Sequence, residues 1–244
     1  MAGSGIAGQR PESASEGRVR EVYARRDAKI KDDRYSILNR ACLFALQSRE
    51  HCLIRVLKDS GIVSLNDLRI LDVGCGAGGT LRTFNRYGVP SRNLFGIDLL
   101  PDRVETCRRL CPTIDVLCGS AAALPFEDES FDLVSQFTLF DTILEKDVRR
   151  RIAGEMMRVV RKDGAIIWYD FRVNNPRNPD VRAIGRKEIR ELFPGCTIRL
   201  RSVTLAPPIA RLVAPRAWLL ATALEAMPFL RTHYIGLIRK PGAA

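Results

Sequence analysis

Apolar residues between positions 68 and 170 alternate between two rhythms. Short apolar runs predict strands near 69–73, 93–97, 114–118, 131–137 and 164–170. Between them lie segments of helical period. Pro101 to Leu110 is one; Lys146 to Arg161 is another, with Val148, Ile152, Met156, Val159 and Val160 on one stripe that reads as core packing. Such alternation predicts an α/β fold, a parallel sheet with helices on both faces. Upstream, Arg18 to Ile30 reads as a charged helix. Tyr35 to Leu57 reads as a second helix, with Ile37, Ala41, Phe44, Ala45, Leu53, Val56 and Leu57 near helical spacing and a stop at Asp59-Ser60-Gly61. Downstream come a loop over 174–179, a short helix from Arg186 to Phe193, an alternating strand from Cys196 to Ala206 and a closing strand from Tyr234 to Arg239. Residues 207–230 read as a helical insertion, apolar on more than one side.

Composition narrows the class. The chain has 244 residues, of which 46% are hydrophobic, enough for one domain with a full core. No apolar run approaches the ~20 residues that span a bilayer. Residues 1–17 lack an apolar segment, which predicts a disordered tail rather than a secretory leader. Seven scattered cysteines include no C-x-x-C pair, and there are two histidines, so reduced thiols in a cytoplasmic protein are expected and a metal site is not. The net charge of +11 is spread along the chain, including Arg149 to Arg151. It has two readings: a solvated basic surface, or attraction to an anionic partner.

The most informative stretch is Ile70-Leu71-Asp72-Val73-Gly74-Cys75-Gly76-Ala77-Gly78-Gly79. An apolar strand enters a glycine-dense turn where backbone can press against a ligand. Gly74, Gly76 and Gly79 fit the dinucleotide pattern, and glycines can also simply turn a strand into a helix. Asp72 discriminates. A carboxylate there repels a pyrophosphate and suits a ligand carrying an amino group and a sulfonium.

At these residues the chain resembles the class I S-adenosylmethionine-dependent methyltransferases, in particular their small-molecule branch. Their first motif, an apolar strand followed by Asp-x-Gly-x-Gly-x-Gly, stands here from Asp72 to Gly78. Later landmarks follow in order. Leu94 to Asp98 is a strand ending in an acid that can accept ribose hydroxyls. Gly119-Ser120-Ala121-Ala122-Ala123-Leu124-Pro125-Phe126, an acidic turn and Ser130-Phe131-Asp132-Leu133-Val134 come next. Arg158 to Ala165 resembles the turn before the fifth strand, with Asp163 where proline is usual. Ser120 stands where the family commonly has the aspartate that meets the adenine amino group. A serine still accepts that bond, without charge.

The resemblance implies a Rossmann-like doubly wound sheet of seven strands with an antiparallel last strand, an N-terminal helical lid and a helical insertion before the last strand. It implies one methyltransferase domain over 18–244, made of a helical cap at 18–60, a cofactor-binding core at 68–170 and a cap insertion at 207–230. S-adenosyl-L-methionine is the implied cofactor, held by Asp72, Gly74, Cys75, Gly76, Asp98, Leu99, Ser120, Ala121 and Gln136. Tyr23, Tyr35, Asn39 and Arg40 are candidate lid residues.

Candidate substrate-facing groups follow the carboxyl ends of the strands. Asp141, after the fourth strand, is the first candidate acid, and His233, placed before the last strand, is the candidate with the right titration range. Asp170 and Arg172 are read as a pair or a hydroxyl-binding group. His51, flanked by Arg49 and Glu50, is read as surface. The segment after the fourth strand, Gln136-Phe137-Thr138-Leu139, is not of the Asn-Pro-Pro-Tyr type, which turns the reading away from amino groups of bases. The expectation is O-methylation of a small-molecule, sugar or lipid-linked acceptor in biosynthesis. The alternatives are an RNA methyltransferase, disfavoured despite the basic charge, and a non-catalytic cofactor-binding protein. The two-sided apolarity of 207–230 serves a greasy acceptor, a homodimer partner or a peripheral membrane contact.

Overall fold

Neighbouring apolar residues of the central strands face opposite ways. In the computed structural model, which describes residues 14–29, 36–175 and 178–241, Ile70, Leu133 and Ile167 join one core while Leu71, Val134 and Ile166 join another. Pleating sends successive side chains to opposite faces, so a sheet apolar on both sides has to be covered on both. The strands are β1 (Ile70–Val73), β2 (Leu94–Asp98), β3 (Asp115–Cys118), β4 (Phe131–Phe137), β5 (Val160–Phe171), β6 (Thr197–Leu205) and β7 (Arg231–Arg239). Their order is β3-β2-β1-β4-β5-β7-β6. The first five are parallel, and β7 runs antiparallel between β5 and β6. This is the expected seven-stranded Rossmann-like sheet, with its strand order reversing between β1 and β4.

The helices are α1 (Ala14–Lys29), α2 (Arg40–Lys58), α3 (Gly79–Arg86), α4 (Pro101–Leu110), α5 (Lys146–Val159), α6 (Arg186–Leu192), α7 (Pro207–Val213) and α8 (Trp218–Ala226). Leu53, Val56, Leu81, Phe84, Val104 and Cys107 from α2, α3 and α4 fill one core. Val19, Ile152, Met156 and Ile189 from α1, α5 and α6 fill the other. A third, smaller cluster joins Phe44 of α2 to Ala210, Ala214 and Ala221 of the insertion, with the Phe44 and Trp218 rings edge to face at 5.1 Å.

Several boundaries depart from the sequence reading. Helix α1 starts at Ala14, inside the segment expected as tail: Ser15 is buried and donates to Glu145 Oε2 at 2.8 Å, which fixes the first turn. The rest of that segment, 1–13, lies outside the described residues. Strand β5 begins at Val160 because that β-branched, buried residue sits opposite Phe131, and α5 therefore ends at Val159. Strand β7 begins at Arg231, so His233 lies inside it, opposite Phe171 and Val203, rather than before it. Arg149 belongs to no solvated surface. It is fully buried and donates to Glu188 Oε1 at 2.5 Å.

Candidate active site

The glycine turn after β1 takes a shape that side chains resist. Gly74 and Gly76 have φ of +75° and +52°, a region that costs residues with a Cβ. The turn is pinned to β2: the N–H groups of Gly74 and Cys75 donate to Ile97 O at 2.8 and 3.1 Å. Asp98, at the end of β2, accepts from Gly76 N–H through Oδ2 at 2.8 Å and from Leu100 N–H through Oδ1 at 3.0 Å. Burial pushes the Asp98 carboxyl up, and those two N–H donors oppose it. A Cβ added to Gly76 would meet no protein atom within 4 Å. Gly76 instead borders a cavity of about 680 Å³ at the carboxyl ends of the parallel strands, where ligands of doubly wound sheets bind.

Seven of the nine expected cofactor residues border this cavity: Gly74, Cys75, Gly76, Asp98, Leu99, Ser120 and Ala121. A bare-backbone turn, a strand-end carboxylate and a polar-small wall at 119–121 fit the methionine, ribose and adenine portions of S-adenosylmethionine. Ser120 Oγ already accepts from Ala122 N–H at 3.3 Å, which leaves its second lone pair and its proton for a ligand.

The other two are not among the lining residues. Asp72, expected at the mouth of the turn, lies opposite Ser135 in the β1–β4 register and accepts from its Oγ at 2.6 Å. It is 1% exposed, and burial pushes its carboxyl up to about 7. Gln136 is fully buried; its Oε1 accepts from Leu139 N–H at 3.1 Å, so it shapes the loop after β4.

The opposite wall comes from separate elements. Asp141 borders the cavity, its Oδ1 has no hydrogen-bond partner among the described residues, and burial pushes its carboxyl up to about 7. Asp170 stands behind it. Its oxygens accept from Phe140 N–H at 3.0 Å and Phe171 N–H at 2.8 Å, and burial together with Asp141 raises it further. Asp170 thus pairs with Asp141 rather than Arg172, which donates to the carbonyls of Pro228 and Arg231. Tyr23 of α1 also lines the cavity, its phenol pushed up to about 12 by burial and then by Asp141.

His233 is in the wall, stacked on Tyr169 with ring centroids 4.7 Å apart. Burial pushes it down to about 3, so the ring is neutral. The Thr232 hydroxyl lies 2.9 Å from His233 Nδ1 and 3.3 Å from Thr204 O, within hydrogen-bond reach of both. Thr138 and Thr204, both lining residues, hold φ of +57° and +67° despite β-branching, strain of a kind that collects at ligand sites.

Of the lid candidates, Tyr23 and Asn39 reach the cavity, and Asn39 also caps α2 by accepting from Ala41 N–H at 3.0 Å. Arg40 donates instead to Pro215 O at 2.9 Å. Tyr35 lies outside the described residues. The sequence reading missed Arg49, the neighbour of His51, which is exposed as expected. Its guanidinium sits over the rings of Phe137 and Tyr169 at 5.3 and 5.5 Å. Its helical spacing from Cys42, Ala45 and Leu46, which share the cavity wall, was the available signal. Among the described residues no cluster of histidine, cysteine or carboxylate groups is arranged to hold a metal.

Comparison with known proteins agrees with this geometry. A family model described as a methyltransferase domain matches residues 70–164. The phthiotriol/phenolphthiotriol dimycocerosates methyltransferase 1 of Mycobacterium ulcerans is 34% identical over 115 residues, covering 46% of this chain and 41% of that protein. The 2-methyl-6-phytyl-1,4-hydroquinone methyltransferase of Synechocystis is 32% identical over 128 residues, covering 51% and 38%. The chain thus spans about two fifths of the length of the curated relatives it matches. Among solved structures, the complex of the Haloferax volcanii Trm112 methyltransferase activator with a methyltransferase contains a chain that aligns with a TM-score of 0.61 at 19% identity, covering 91% and 95%. A TehB-like S-adenosylmethionine-dependent methyltransferase of Corynebacterium glutamicum aligns with a TM-score of 0.55 at 16% identity, covering 90% and 97%. Residues 70–164, the core that carries the glycine turn, thus match a methyltransferase domain, and the described sheet has the Rossmann-like fold of solved S-adenosylmethionine-dependent methyltransferases.

Proposed function

We propose that this protein transfers a methyl group from S-adenosylmethionine to a hydroxyl oxygen on an acceptor with a substantial hydrocarbon part. The observation that carries the oxygen assignment is Asp141, a cavity-wall carboxyl pushed up to about 7 with Oδ1 unpartnered. A hydroxyl acceptor needs a base whose pKa lies near working pH. The hydrocarbon part is supported by the far side of the cavity, where Ala45, Leu46, Phe137, Phe171, Leu205 and Ala210 line it. Relatives named for dimycocerosates and for a phytyl hydroquinone point the same way.

S-adenosylmethionine, when bound, supplies a methyl group activated by its positive sulfur. The residues of the chain do the rest. The turn at Gly74–Gly76 and the carboxylate of Asp98 fix the donor side. Phe137, Tyr169 and His233, packed ring against ring, give an aromatic wall that orients the acceptor. Thr232 holds the His233 ring in place through Nδ1. Asp141, once ionised, takes the acceptor proton, while Asp170 behind it stays protonated because two coupled buried carboxyls do not both ionise readily. Alignment of donor and acceptor supplies most of the rate in such a displacement.

The test is turnover of tailed phenols and hydroquinones with radiolabelled donor, with the methylated atom located by mass spectrometry. An O-methyl product is expected, with kcat rising through about pH 7 as Asp141 ionises. Asp141→Asn should lower kcat by about two orders of magnitude and flatten that limb, with S-adenosylhomocysteine affinity unchanged. Methylation at carbon, or an unaltered pH profile in the variant, overturns the assignment.

A further inference from the structure

The insertion is apolar on two faces, and one of them has no partner among the described residues. On α8, Trp218, Ala221 and Leu224 turn inward, toward Phe44 and Leu205. That inner face is filled. Glu225, the single acid in 207–230, is also turned inward, accepting from Ser48 Oγ at 2.5 Å and from Leu205 N–H at 3.0 Å. On the outer side Leu219 is 85% exposed, Phe229 76% and Leu212 66%, with Leu220 and Met227 beside them. Leu219, Leu220, Ala223 and Met227 fall on one side of the helix by their spacing. Exposed leucines and a phenylalanine gathered on one small unit are unlike singly scattered surface residues.

Charge identifies the occupant. Arg211 and Arg216 are exposed on the same insertion, and Arg40 is tied to its corner through Pro215 O and lies 5.9 Å from the Trp218 ring. No exposed acid interrupts them within 207–230. A second copy would bring the same arginines and another net charge of +11 against this face. An anionic bilayer answers both properties, because apolar side chains enter the acyl boundary while arginines meet headgroup phosphates. The position is also suited. Pro207 and Ala210 of α7 belong to the cavity wall and the exposed Arg211 stands at its edge, so α7 forms part of the rim and the outer face adjoins it.

We propose that the outer face of α7–α8 docks on an anionic membrane surface and opens the cavity rim toward it. The docking deepens the function proposed above and rests on it for one consequence, that a tailed acceptor enters from the bilayer. Flotation of the full chain with vesicles tests it. Binding is expected with phosphatidylcholine–phosphatidylglycerol vesicles, with at least about tenfold weaker binding to phosphatidylcholine alone. The variant L219E/F229E should lose at least about tenfold in vesicle affinity, with circular dichroism and S-adenosylhomocysteine affinity unchanged. Failure of the wild-type chain to float with anionic vesicles, or flotation of L219E/F229E equal to wild type, overturns the proposal. So does a dimer in sedimentation that L219E/F229E splits. Turnover of a detergent-dispersed acceptor involves no bilayer; its failure alongside normal flotation removes the function and leaves the docking standing.

Discussion

Replacing Asp72 with asparagine should change how stability depends on pH. The carboxyl is fully enclosed, bonded to Ser135 Oγ, and pushed from 3.8 up to about 7 chiefly by burial. An acid whose folded pKa exceeds its unfolded one holds a proton in the native state that the unfolded chain has released. Stability contributed by that proton is complete at low pH and drains away as pH rises from about 4 to about 7. Above about 7 both states are ionised and nothing more is lost. At 1.36 kcal/mol per pKa unit, a shift of roughly three units is worth about 4 kcal/mol across that window. The group is buried, so solvent screening does not shrink the figure. An asparagine in its place has no proton to lose. Asp98, Asp141 and Asp170 are raised too, and they remain in the variant, so the difference between the two slopes isolates Asp72. Urea unfolding of both proteins at about pH 5 and about pH 8 measures it. About two of the three units lie above pH 5, so the wild-type loss should exceed the variant's by roughly 2.6 kcal/mol; equal losses refute the buried placement of this carboxyl.

Two further outcomes follow from the site. Gly76→Val at φ +52° projects a side chain into the cavity and should weaken S-adenosylhomocysteine binding at least about tenfold in calorimetry; unchanged affinity would remove the turn from the cofactor site. The His233 ring, pushed down to about 3 by burial, should stay neutral in nitrogen-correlated NMR spectra to about pH 5; a ring that charges near pH 6 contradicts its enclosure.

What was legible in the chain was what is encoded locally. The strands β1 to β4 are apolar runs bounded by turn residues, and the turn at 74–76 is specified by glycines that backbone geometry requires. Asp98 was legible for the same reason, as an acid closing a strand. The direction of Asp72 was not. It is fixed by pairing with β4, which brings Ser135 opposite it, and that register joins residues far apart in sequence. The start of β7 was misplaced because Arg231-Thr232-His233 looks polar until Phe171 and Val203 flank it. Arg149 read as surface because a buried arginine is invisible without Glu188, which lies on another helix.

The two halves of the cavity differ in what builds them, and this explains why the donor could be named before the acceptor. The half that fits the cofactor is mainly backbone: glycines, N–H groups, one strand-end carboxylate and the small residues at 119–121, all within β1, β2, β3 and the loops that follow them. The acceptor half is side chains brought from α1, α2, the ends of β4 and β5, the β6–β7 hairpin and α7. Of these, β4 pairs with β1 in the sheet, and Leu139 after it lies against Gly74, so that part of the acceptor half is tied to the glycine turn. The insertion couples the two scales, because α7 carries cavity residues on one side while α7 and α8 present leucines on the other. A residue there is constrained at once by the acceptor and by whatever the outer face meets, so specificity for a hydrocarbon-bearing acceptor and attachment to an anionic surface would be set by the same short segment.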